Sequence, residues 1–125
     1  MSGDSIPDDV REFILKHIES IAQLEALLLL RREPDVPWTD ENVGQRLYIS
    51  AQAASEVLVR LAGDGFLESN EGIFRYQCRT IELQDMVDRL AEIYARQLIP
   101  VTHLIHAKPS RIREFAEAFK LRKEP

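Results

Sequence analysis

With a single cysteine, Cys78, among 125 residues, the chain has no internal disulfide, and no Cys/His cluster shows zinc-ligand spacing. A buried hydrophobic thiol is expected at Cys78, since a redox sensor needs an exposed, cationic setting. An excess of basic charge is also missing. The 21 acidic and 16 basic side chains leave a net charge of -5, which does not favour indiscriminate attraction to a polyanion. Long hydrophobic runs are absent too: the most apolar stretch, AQLEALLLL, is interrupted by Glu25 and is far shorter than the roughly 20 residues of a membrane span. The N-terminal MSGDSIPDDV lacks the basic and apolar regions of a signal peptide, so a cytoplasmic protein without membrane contact is expected. No glycine-rich phosphate loop, nucleophile elbow or metal-ligand motif occurs, and the expectation is a non-enzyme without metal or cofactor. His103 and His106 lie three apart, but no carboxylate or cysteine nearby completes a ligand set.

What is present is an ordinary globular composition, 45% hydrophobic and 30% charged, sized for one compact domain with an appended helical element. Ser5, Pro7 and two aspartates predict a helix start, with Val10, Phe13, Ile14 and Ile18 on its inner face. Ser20 and Gln23 have capping-box spacing ahead of a nearly all-apolar helix that two prolines terminate. Thr39 caps the next helix, and the three residues YIS separate it from another that starts after Ser50. There Ala54, Val57, Leu58 and Leu61 form one apolar stripe. Gly63 to Gly65 end that helix, and FLES and IFRYQ around NEG predict a hairpin turning through Asn70, Glu71 and Gly72. From Thr80 a long helical pattern runs to Pro100, which should kink or break it, and a last amphipathic segment carries Ile112, Phe115 and Phe119. Trp38 is expected to pack against the turn before its helix.

Helix, three-residue turn, helix, glycine stop and hairpin are carried by ENVGQRLYISAQAASEVLVRLAGDGFL and FLESNEGIFRYQ. At these residues the chain resembles the winged helix-turn-helix superfamily, and most closely its MarR-like bacterial regulators. The resemblance implies a mainly α fold with a small β-hairpin wing, residues 1–79, and a long C-terminal helical extension, residues 80–125, that mediates dimerisation. It implies a transcriptional regulator that binds duplex DNA as a homodimer. Ser50, Gln52, Ala53, Ser55, Glu56 and Arg60 would then line the major groove, with Asn70 and Arg75 on the wing.

Glu56 departs from that pattern, because it stands where the family often has arginine. It can accept from a cytosine amino group but weakens attraction to phosphate. Arg60, one turn on, is placed to pair with it, and Glu68 and Glu71 flank Arg75 on the wing. Through Arg79 there are 14 acids against 8 bases, and from Thr80 onward 7 against 8. The basic residues from Lys108 to Lys123 suit a phosphate-contacting arm or an acidic docking partner. A protein-protein interaction adaptor that does not bind DNA is therefore the rival expectation, since one scaffold serves both roles.

Overall fold

The computed structural model describes residues 6–107. The expected Ser5 cap and the basic C-terminal segment lie outside them. The described chain is mainly helical with one small antiparallel sheet. Its elements are α1 (Asp8–His17), α2 (Ile21–Arg32), α3 (Asp40–Leu47), α4 (Ala51–Gly63), β1 (Leu67–Asn70), β2 (Ile73–Tyr76) and α5 (Ile81–Arg96), and the chain is helical again over 98–107.

Local chemistry sets most of the boundaries. The Ser20, Thr39, Ser50 and Thr80 side chains each accept from the backbone N–H three residues on, which satisfies a donor the helix start leaves unpaired. The capping box closes in a modified way. Gln23 Oε1 accepts from the Glu19 N–H at 2.8 Å and its Nε2 donates to the His17 carbonyl at 2.8 Å. Gln23 is the one buried polar side chain among the described residues, 3% exposed, with its oxygen and its nitrogen each hydrogen-bonded. Pro7 itself occupies the cap of α1, with Asp8 and Asp9 in the first turn. Gly65, at φ +95°, supplies the left-handed residue that turns the end of α4 into β1.

α2 is the centre of the fold. Leu24, Ala26, Leu27, Leu28, Leu29 and Leu30 are all buried, and they meet Val10, Phe13 and Ile14 of α1 and Ala54, Leu58 and Leu61 of α4 in one core. Val87, Leu90, Ile93, Val101 and Ile105 join the same core. Part of the apolar surface after Thr80 is thus covered within the chain. The long helical pattern breaks at Gln97, whose φ of −126° and ψ of 53° are not helical. Pro100, which has no N–H to donate, then falls in the first turn of the next helical stretch, where none is needed.

The hairpin turns through two residues only. Glu71 (φ +53°) and Gly72 (φ +81°) form the turn, while Asn70 is still paired with Ile73. Trp38 forms an isolated bridge to Phe74, with its N–H donating to the Phe74 carbonyl at 3.1 Å and the return bond at 2.8 Å. A third short extended segment is in this way laid against β2. Cys78 is half-buried and its Sγ donates to the Tyr76 hydroxyl at 3.3 Å. Burial pushes the Cys78 thiol up, away from the reactive thiolate.

Candidate nucleic-acid interface

The α3–α4 corner depends on close backbone approach. A Cβ on Gly44 would lie 2.7 Å from the Ile49 carbonyl oxygen, so only glycine lets the chain return this tightly. No glycine is available four residues later, and Tyr48 takes the left-handed conformation (φ 61°, ψ 42°) as the C-cap of α3. For a bulky L-residue that conformation costs on the order of 1–2 kcal/mol. Its side chain is 94% exposed, so no packing offsets the cost.

The burial of Ala54, Leu58 and Leu61 sets the rotation of α4, and the opposite side faces solvent. At i, i+4 and i+7 that outer stripe carries Gln52, Glu56 and Val59, all exposed, with Arg60 beside them. Ala53 and Ser55 are half-buried on its flanks, and Ser50, itself exposed, is occupied by accepting from the Ala53 N–H at 3.0 Å. Of the expected groove-facing residues, then, Gln52, Glu56 and Arg60 stand outward, while Ala53 and Ser55 sit at the margin. Val59, 58% exposed, is an outward residue that the apolar pattern did not single out.

Arg60 does not pair with Glu56. Its Nη2 donates to Glu19 Oε2 at 2.7 Å and its Nε lies 3.7 Å from Asp64 Oδ2. The hydrogen bond with Glu19, more than the weaker pull of Asp64, raises the already high guanidinium pKa. His17 Nδ1 stands 3.3 Å from the same Asp64 carboxylate, so the end of α1 and the end of α4 share one polar cluster. The i,i+4 partner of Arg60 is therefore Asp64 on its C-terminal side, and a residue distant in sequence makes the closer contact.

Two other cations near this face are also engaged. Arg46 Nη2 donates to Glu33 Oε2 at 3.0 Å, and its guanidinium lies over the Trp38 ring, 5.3 Å from the centroid. Arg75 stands opposite Glu68 across the hairpin but turns away from it, with Nη1 donating to the Asp35 carbonyl at 3.1 Å. Asn70 and Arg75 do come together, lining a hollow of about 190 Å³ with Glu68, Glu71 and Ile73. By contrast, Asp40, Glu41, Glu56, Glu68 and Glu71 make no ion pair among the described residues. The charged side chains of α3, α4 and the hairpin that find no partner among the described residues are thus acidic.

Elsewhere, His103 and His106 are both exposed, and no group of three or more metal-ligating side chains occurs among the described residues. No helix among them is long and apolar enough to cross a membrane. Compared with known protein families, with characterised proteins and with solved structures, the chain matches none of them.

Proposed function

We propose that the chain is a winged helix-turn-helix protein of the MarR-like kind, and that it regulates transcription by binding duplex DNA as a homodimer. The observation that carries this reading is the outer stripe of α4. It begins two residues after the Ser50 cap, is held to α3 by the Gly44 corner, and presents Gln52, Glu56 and Val59 together. Over the seven steps from residue 52 to residue 59 a helix advances about 10 Å at 1.5 Å per residue, roughly three base-pair steps. The chemistry of those side chains suits base edges: an amide for adenine, a carboxylate for the cytosine amino group, and an apolar side chain for the thymine methyl. The Trp38–Phe74 bridge beside the hairpin supports the winged arrangement. For the dimer, Ile81, Leu98 and Ile99 remain 72%, 49% and 60% exposed on the C-terminal helical part.

A second reading, a winged-helix adaptor that binds a protein, is favoured by one specific observation. The cations near the face are engaged within the chain while Glu56, Glu68 and Glu71 are not. Anisotropy of labelled duplex DNA separates the two, using the chain's own upstream region and a scrambled control across a salt series. A regulator gives sequence-dependent binding that weakens with salt, and Glu56→Gln retains or strengthens non-specific affinity while altering sequence preference. No binding even at low salt leaves the adaptor.

A further inference from the structure

We propose that Tyr48 is a phosphate-contacting residue of this interface, its hydroxyl donating to the backbone of bound duplex DNA; the proposal rests on the DNA-binding reading above. Tyr48 is the anomaly of the fold. It is an aromatic residue in a left-handed conformation that asparagine or glycine adopts more readily, and its side chain is 94% exposed. Neither the turn nor the core explains a tyrosine there. The turn is made by the Gly44 close approach, and the Tyr48 N–H that bonds the Gly44 carbonyl would be present in almost any residue.

Only one other non-glycine residue among the described residues has positive φ, and that is Glu71 at the tip of the hairpin. The two strained positions thus mark two separate parts of one proposed contact surface, the α3–α4 corner and the hairpin turn. Strain of this kind clusters at sites that contact a ligand. At the corner, Tyr48 caps α3 three residues before Ala51, the first residue of α4, and so lies outside the Gln52–Glu56–Val59 stripe of that helix. That position suits the sugar-phosphate strand bordering the groove better than the base edges. A phenol O–H donates to phosphate without reading sequence. It also supplies a contact where the nearby arginines are held by Glu33 and Glu19.

The test compares Tyr48→Phe and Tyr48→Gly with the wild-type chain in the anisotropy measurement, on the upstream-region duplex and on its scrambled control. Loss of a hydrogen bond to a charged oxygen predicts about tenfold weaker binding for Tyr48→Phe. The factor should be the same on both duplexes, because the contact carries no sequence information. The salt slope should stay unchanged, because a phenol adds no cation. Tyr48→Gly should bind at least as weakly while melting no lower than wild type, since glycine adopts the corner conformation freely.

Wild-type affinity in both variants overturns the contact and leaves the DNA-binding reading standing. A loss confined to the upstream-region duplex also overturns it, because Tyr48 would then be reading bases. A lowered melting temperature in both variants would assign it to packing. If the wild type binds neither duplex at low salt, the DNA-binding reading fails and takes this contact with it.

Discussion

α2 and α4 begin alike and end in different environments. Each is capped by a serine that accepts from the third N–H onward, at Gln23 and at Ala53, and they differ in length by one residue. From Gln23 to Leu30 every residue of α2 except Glu25 is buried. α4 buries only Ala54, Leu58 and Leu61 and leaves one whole side wet. A helix closed in on all sides can contribute only stability, whereas one with a spare face can also hold a ligand. α2 thus holds much of the buried core, and under the proposed function recognition falls to the outer stripe of α4.

The sharpest way to break that assignment is to truncate one residue from each. Leu27, fully buried in α2, should cost about 2–5 kcal/mol as Leu27→Ala, from lost transfer energy and the cavity left behind. Glu56→Ala on the exposed stripe should change stability by less than about 0.5 kcal/mol. Urea unfolding of the two variants measures both. Comparable losses would make the α4 stripe a structural surface and remove the basis for treating it as an interface.

A smaller effect is expected at the corner that aims α4. Gly44→Ala places a Cβ 2.7 Å from the Ile49 carbonyl oxygen, and that atom is backbone and cannot swing aside. An overpacking cost of about 1–3 kcal/mol follows. Because the strain is relieved by moving the corner, under the proposed function DNA affinity should fall by more than the lost stability alone explains. Wild-type thermal stability in this variant would show the corner to be loose, and α4 would then lack the fixed orientation that base readout requires.

How much of this was legible beforehand follows the distance over which each cause acts. The caps at Ser20, Thr39 and Ser50 and the glycine stop over Gly63 to Gly65 are determined within a few residues, and they stand where the sequence places them. The inner residues of α1 and α4 follow from helical periodicity in the same way. The partner of Arg60 was not legible because Glu19 is 41 residues away and becomes a neighbour only when the α1–α2 connection comes against α4. Arg75 likewise turns to a carbonyl from the α2–α3 loop instead of the glutamate opposite it. Val59 was legible, since it completes the i, i+4, i+7 series from Gln52. For Tyr48 the signal was a three-residue turn without glycine or asparagine, which forces some other residue into the left-handed region.

The smallest effect concerns Glu25, the half-buried acid that interrupts α2. Tyr94 of α5 donates its hydroxyl to Glu25 Oε2 at 2.8 Å. Burial first, and this bond second, push the phenol up to about 12 from an ordinary 10.0. The folded state therefore holds the Tyr94 proton more tightly than the unfolded chain does. Its contribution is fully present below pH 10 and is lost as the pH rises through about 12. Tyr94→Phe removes that part of the alkaline limb, although Tyr76, raised further by its own burial, leaves another part in place. Urea midpoints measured between pH 9 and pH 12 should fall less steeply in Tyr94→Phe than in wild type. Parallel curves would mean that Glu25 faces α5 without binding it, and that the Arg31–Asp88 pair and apolar contact hold α2 to α5.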